Sequence, residues 1–357
     1  MFDKLLAAPP WSVRSAEKAA MMLEGLNALS ALHYERCEPY RRIVDKAWGG
    51  PRSYARLQDI PYLPVSIFKE LDLASTPDHS LVLKSSGTTG QMQSRIYVDG
   101  ETAQRQSTAL VNTFTPILGR QRLPFLAIDT KAVLTDQTMT ARGAGVLGMM
   151  KFGARATFAM DRDLVVDKAA VREFLAVYGD KPFLMFGFTF LVWSKLYESF
   201  EDGELDLSNG ILIHSGGWKK LEAEKVSNEV FRAALQRRFG LSRIYNFYGF
   251  VEQIGSVFVE GDDGRLYPPN FTEVIVRRPD TWEPCQMGEE GVVQVLSLLP
   301  TSYPGHSVLT EDWGVVDYVD KGVGGRFGQA VRILGRVPKA ELRGCSDVIA
   351  ASQDRAA

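Results

Sequence analysis

The chain has 357 residues, 45% of them hydrophobic and 24% charged, which is ordinary globular composition in a chain too long for one small core. A net charge of −2 excludes binding that works by broad neutralisation of nucleic-acid phosphates. No apolar run is long enough to span a bilayer.

Residues 14 to 46 read as a helix rich in Ala, Leu, Met, Glu and Lys. Pro61 and Pro64 lead to Leu81-Val82-Leu83, which has the look of a buried strand, and a glycine-rich turn follows. Residues 101 to 118 read as helix and Pro124 to Asp129 as strand. Gly143, Gly145, Gly148 and Gly153 then break up an apolar stretch. Helices are expected over 165 to 178, 190 to 199 and 219 to 238. Strands are expected at Phe183-Leu184-Met185-Phe186, Ile211-Leu212-Ile213-His214 and Ser242 to Phe247. Alternating strands and helices indicate an α/β sheet with crossover connections. After about residue 255 helical periods fade, and short β-like runs appear at 272–276, 291–296 and 329–334. The expected organisation is a helical segment over 1–60, an α/β core over 61–255, a smaller β-rich unit over 256–335 and a tail over 336–357.

The sharpest local signal is Ser85-Ser86-Gly87-Thr88-Thr89-Gly90 after an apolar strand. Small residues let a turn aim several backbone N–H groups at an anion, and hydroxyls add donors to phosphate oxygens. It is not a Walker loop, because the Gly-Lys-Ser/Thr ending is missing. The plain alternative is a polar connecting loop. Other segments are weak singly. Tyr248-Gly249-Phe250-Val251-Glu252 carries an acid just past a strand, where a carboxylate can hold Mg²⁺. Leu309-Thr310-Glu311-Asp312-Trp313-Gly314 places an acid in an expected turn, where it could accept ribose hydroxyls, and Gly335-Arg336 offers a cation. His214-Ser215-Gly216-Gly217 joins a strand to a helix, with glycines that let backbone approach a flat ring.

In this order, over residues 60 to 345, these segments resemble the adenylate-forming superfamily of acyl and aryl ligases. Phe186-Gly187-Phe188-Thr189-Phe190, His214 to Lys220, Ser302-Tyr303-Pro304-Gly305-His306 and Glu341 to Asp347 are similar in particular to acyl-protein synthetases, the long-chain-fatty-acid–luciferin-component ligases. The resemblance implies the N-terminal domain of that superfamily: mixed and parallel sheets with helices, plus a small β unit. It implies ATP and Mg²⁺ as cofactors. Gly87, Thr88, Thr89 and Gly90 would grip the β- and γ-phosphates, with Ser85 and Ser86 in the same loop. Gly216 and Gly217 would lie against adenine, with Tyr248 and Gly249 beside it. Glu252 would hold Mg²⁺, and Asp312 and Arg336 the ribose. Gly143, Gly145, Phe186 and Phe188 would line the acid pocket, suiting a fatty or aromatic acid.

Two departures stand out. Gln91-Met92-Gln93-Ser94 replaces the usual Pro-Lys after the phosphate loop. The residues beyond Arg336 leave no room for a folded lid with its lysine, so Lys84, Lys219 and Lys339 are candidates for the missing charge. An internal thiol then becomes attractive as acyl acceptor. Cys345 in Arg343-Gly344-Cys345 fits, since a nearby cation favours the reactive thiolate, and the resemblance implies an acyl-enzyme on a cysteine near the C-terminus. The alternative is an inert thiol. Cys37 and Cys285 read as structural. An odd cysteine count and a start without a signal-peptide core suit the cytoplasm, and four scattered histidines do not suggest zinc. The leading expectation is acid activation to acyl-AMP, then transfer to a protein cysteine for a partner such as an acyl reductase. A ligase that loads coenzyme A or a carrier protein, and a non-catalytic nucleotide-binding module, are the alternatives.

Overall fold

The computed structural model describes residues 2–78, 81–84, 93–135, 141–217 and 225–337; of Lys84 and Ala141 only the backbone is described. Three helices open the chain: α1 (Phe2–Ala7), α2 (Ser15–Arg36) and α3 (Glu38–Trp48). The single helix expected over 14–46 is therefore broken. Cys37 is extended at φ −118° and ψ 101°, because Pro39 cannot donate in a helix interior and instead sits in the first turn of α3. Cys37 is thus a buried junction residue rather than part of a continuous helix.

A short strand β1 (Leu63–Pro64) and one turn of helix, α4 (Ile67–Glu70), lead to β2 (Leu81–Lys84) and β3 (Arg95–Val98). β2 and β3 form their own antiparallel pair. Leu83 is buried, but Leu81 and Val82 are 42% and 39% exposed, so the expected buried strand is half in solvent. A two-stranded ribbon has one covered face, and the apolar run reads as buried only if both are covered.

The next elements alternate strictly. They are α5 (Gly100–Leu118), β4 (Leu123–Thr130), α6 (Ala141–Met149), β5 (Gly153–Met160), α7 (Lys168–Tyr178), β6 (Phe183–Phe188), α8 (Thr189–Leu191) running into a π turn at Val192–Tyr197, β7 (Gly210–Ser215), α9 (Asn228–Phe239) and β8 (Arg243–Tyr248). Asp99 and Ser227 cap α5 and α9 by accepting from backbone N–H groups three residues on. Helix α9 begins at Asn228, with Lys225 to Ser227 outside it; residues 219–224 of the expected helix lie outside the described residues.

Strands β5-β4-β6-β7-β8 lie parallel in that order. Their alternation sorts side chains to two faces. Leu126, Ile128, Phe183, Met185 and Leu212 join Phe174 of α7 and Phe231 and Leu235 of α9. Phe125, Ala127, Leu184, Phe186, Ile211 and Ile213 join Phe114 of α5 and Val146 and Met149 of α6. With both faces covered, these strands are continuous apolar runs.

After β8 the sheet turns antiparallel through β9 (Phe258–Glu260), β10 (Leu266–Tyr267), β11 (Thr272–Arg277), β12 (Glu290–Ser297), β13 (Ser307–Val319) and β14 (Gln329–Arg336). The order β11-β12-β13-β14-β10-β9-β8 continues the same sheet, which has 12 strands with β1 paired to β13.

Candidate functional site

In open α/β sheets, ligands bind at the carboxyl ends of parallel strands. Here β6 ends at Phe188, β7 at Ser215 and β8 at Tyr248, side by side: Phe188 pairs with Ser215, and Ser215 with Phe247. The Ser215 hydroxyl donates to the Phe247 carbonyl at 2.8 Å, which ties the ends of β7 and β8 together. Gly216 and Gly217 follow directly and are exposed. Gly216 turns the chain at φ +85°, and a Cβ there would come within 2.8 Å of the Phe188 ring. Among the described residues, a Cβ on Gly217 would meet nothing within 4 Å. The geometry leaves room for a flat ligand against backbone. Beneath it His214 is buried, with its Nδ1 2.9 Å from the Thr189 hydroxyl, and burial holds its pKa down to about 3.

Tyr248 reaches across to β13. Its hydroxyl donates to Asp312 Oδ2 at 2.6 Å, while Arg336 Nε lies 3.3 Å from Asp312 Oδ1. Asp312 lies inside strand β13 rather than in the expected turn, because it pairs in register with Arg336 on β14, and Arg336 also meets Glu311 at 3.1 Å. Burial raises the Asp312 pKa, against the pull of Arg336 and the Tyr248 hydroxyl. Each carboxylate oxygen here has one protein partner, so acceptor capacity remains for ligand hydroxyls. The structure thus brings Tyr248, Asp312 and Arg336 together, with Gly216 emerging from the strand beside Tyr248.

Glu252 lies in a 3₁₀ turn, Val251–Gln253, and is 4% exposed. Its backbone is clamped from β13's approach: Tyr303 donates its hydroxyl to the Glu252 carbonyl at 2.9 Å. Gln253 donates to the carbonyls of Val295 and Gly305. Gly305 is obligatory there, since a Cβ would fall 2.3 Å from the Tyr303 ring. Burial raises the Glu252 pKa; the Ser94 hydroxyl, Lys69 and Arg336 pull the other way. A buried carboxylate with nearby cations and few protein donors fits the one-carboxylate mode in which Mg²⁺ binds alongside phosphate oxygens and water. Ser94 and Lys69 had no sequence signal: Ser94 stood only as part of a departure from a motif, and Lys69 sits in a four-residue helix with no recognisable pattern.

On the other side of β6, Gly145 of α6 packs against Phe186 and Phe188. An added Cβ would lie 3.0 Å from Phe186 Cζ and 3.4 Å from Phe188 Cε2. Phe186 is fully buried and Phe188 half-buried, their rings edge to face at 6.0 Å. Gly143 is in the same helix, two residues nearer its start. The glycine-rich segment is a helix, not a break, because the missing side chains let it close onto aromatic rings. Two surface cavities, of about 550 and 390 Å³, share no residue with this constellation. The phosphate-loop residues Ser85 to Gly90, and Lys219, Lys339 and Cys345, lie outside the described residues.

A family described as acyl-protein synthetase, LuxE, matches residues 1–353. The long-chain-fatty-acid–luciferin-component ligase of Aliivibrio fischeri is 22% identical over 325 residues, covering 88% of this chain and 84% of that protein. The ligase of the same name from Vibrio harveyi is 23% identical over 353 residues, covering 94% and 88%. Among solved structures, an open conformation of 2-hydroxyisobutyryl-CoA ligase, in complex with 2-HIB-AMP and CoA, superposes with a TM-score of 0.70 at 16% identity, over 91% of this chain and 71% of that one. That likeness shows the fold of an acid–thiol ligase domain.

Proposed function

Because the chain belongs to the LuxE family of acyl-protein synthetases, we propose that the strand-end site activates a fatty acid with ATP and Mg²⁺ and passes the acyl group to a protein thiol. The observation that carries this reading is the convergence of Gly216, Tyr248 and Arg336, at the ends of β7, β8 and β14, with Asp312 in the middle of β13. An exposed glycine edge offers backbone to adenine, and the Asp312 carboxylate accepts from ribose hydroxyls. Arg336 keeps that carboxylate charged and oriented. Glu252 would hold Mg²⁺, which supplies charge neutralisation at the phosphates. The hydroxyls and backbone of Ser85 to Gly90 are assigned to the β- and γ-phosphates, with Thr88 central.

The acid's carboxylate oxygen forms a bond to the α-phosphorus, and the bond from that phosphorus to the bridging oxygen breaks with its electron pair leaving on pyrophosphate. The product is a mixed anhydride, a far better acyl donor than the carboxylate. Cys345 is assigned the next step: its thiolate attacks the acyl carbon and AMP departs. Phe186, Phe188, Gly143 and Gly145 are assigned to the acid pocket, whose apolar character favours an alkyl or aromatic tail. A partner protein such as an acyl reductase would take the acyl group onward.

Acid-dependent exchange of labelled pyrophosphate into ATP tests the first half. The parent should exchange with long-chain acids, and Thr88→Ala should not. Labelled fatty acid tests the second half: hydroxylamine-labile label should remain on the parent after acid denaturation and vanish in Cys345→Ser, which still exchanges pyrophosphate. Full label in Cys345→Ser would sink the internal carrier and make a diffusible thiol such as coenzyme A the leading acceptor. No exchange with any acid would leave only a nucleotide-binding module.

A further inference from the structure

The 3₁₀ turn bearing Glu252 is packed against α4. Phe68 of α4 meets Tyr303 edge to face at 6.4 Å, and the Tyr303 hydroxyl holds the Glu252 carbonyl at 2.9 Å. Ile67 and Phe68 share one core with Leu83 of β2, Ile96 and Val98 of β3, and the turn's neighbours Phe250 and Val251. Arg95, the residue after Ser94, donates to the Lys69 carbonyl at 3.3 Å and is itself held by Asp72 at 2.7 Å. Helix α4 is therefore fixed between the β2–β3 ribbon and the Glu252 turn.

Lys69 is the cation this arrangement carries. It is half-buried, and among the described residues its ammonium makes no ion pair or hydrogen bond, not even with Glu252, whose carboxylate feels its charge. Arg336, the other cation acting on Glu252, is occupied by Glu311 and Asp312. A lysine held partly out of water without an anion costs free energy, and that cost is offset when an anion arrives.

We propose that Lys69 is a further catalytic residue, a fixed cation that contacts the phosphate chain of the nucleotide beside Glu252. The proposal rests on the acid-activation reading above. In that reaction the carboxylate oxygen gains a bond to the α-phosphorus while the pyrophosphate oxygen leaves with the electron pair. No proton need move. The work of Lys69 is electrostatic: negative charge that shifts onto the phosphate oxygens meets a positive group already in place.

The test is pyrophosphate exchange with a long-chain acid in the full chain, comparing the parent with Lys69→Met, Lys69→Gln and Lys69→Arg. Turnover should fall by about a hundredfold in the methionine and glutamine variants at saturating ATP. Arginine should recover at least about tenfold of that loss, since it keeps the charge. Melting temperature without nucleotide should stay near the parent's in all three, because among the described residues the Lys69 ammonium has no hydrogen bond or ion pair to lose. Exchange in Lys69→Met and Lys69→Gln within about threefold of the parent overturns the proposal. Equal losses in all three variants, with melting temperature lowered in parallel, mark Lys69 as structural and overturn it as well. A parent that exchanges with no acid at all sinks the underlying reading, an outcome visible before any variant is made.

Discussion

At the scale of residues, the site turns on a carboxylate with two protein partners. Asp312 accepts from Tyr248 and pairs with Arg336. If Asp312 holds ribose, its loss removes hydrogen bonds present in both ground and transition states, so affinity for ATP falls more than turnover does. Asp312→Ala should weaken ATP binding at least about tenfold, since hydrogen bonds to a charged group are worth roughly 1.5–3 kcal/mol each. Tyr248→Phe keeps a ring to flank adenine and frees one Asp312 oxygen. It should leave ATP affinity within about threefold while lowering stability by roughly 1.5–3 kcal/mol for the lost bond to the carboxylate. Calorimetric titration with ATP and urea unfolding of both variants check this pair. Equal ATP affinity in Asp312→Ala and parent would remove the ribose assignment. The register that sets Asp312 opposite Arg336 could not be read along the chain. The two lie far apart in sequence, and only strand pairing between β13 and β14 joins them.

At the scale of elements, what was legible followed burial. The parallel strands β4, β6 and β7 were readable because helices cover both of their faces, leaving no polar alternation. Strand β2 misled for the same reason in reverse: on a two-stranded ribbon Leu83 is buried but Leu81 and Val82 are exposed. Helix α6 was illegible because glycine is a poor helix former, and only tertiary contact explains three of them in nine residues. Gly145 shows the contact most directly. Its Cβ would press on Phe186, a ring that is fully buried and stacked on Phe247 at 6.4 Å, so it has little room to give. Gly145→Val should therefore destabilise the fold by about 1–3 kcal/mol through overpacking. If α6 also walls the acid pocket, the variant should raise the KM for long-chain acid several-fold more than the KM for ATP. Pyrophosphate exchange at varied acid and varied ATP separates the two. A variant as stable as the parent would show that α6 can shift away from β6.

At the scale of the whole molecule, the three histidines among the described residues are buried between elements distant in sequence. His33 of α2 stacks on His306 at 5.0 Å between ring centres, held by Ser75 and the Pro300 carbonyl, while His306 meets Ser30 at 3.0 Å. His214, near the end of β7, bonds the Thr189 hydroxyl at 2.9 Å. Burial lowers all three pKa values, to about 3 for His33 and His214 and well below the ordinary value for His306. The sign follows from proton counting. Below about pH 6.5 the unfolded chain takes up protons on these rings and the folded chain does not, so their effect on stability is neutral above that pH and grows unfavourable as pH falls toward 3. Burial raises the pKa of Glu252, Glu260 and Asp312, and these groups act oppositely, favouring the folded state as they protonate. A comparison of slopes isolates one ring. His33→Asn removes a single depressed histidine, so its unfolding free energy should fall less steeply between pH 6 and 4, by about 1.4 kcal/mol per pH unit relative to the parent. The asparagine amide can still bond a hydroxyl or a carbonyl, which keeps the variant foldable even where it is less stable. Urea unfolding at half-unit pH steps gives the two slopes directly. Parallel slopes would mean that His33 titrates alike in both states, and that the stacked pair at the α2 junction is open to water rather than sealed by the sheet.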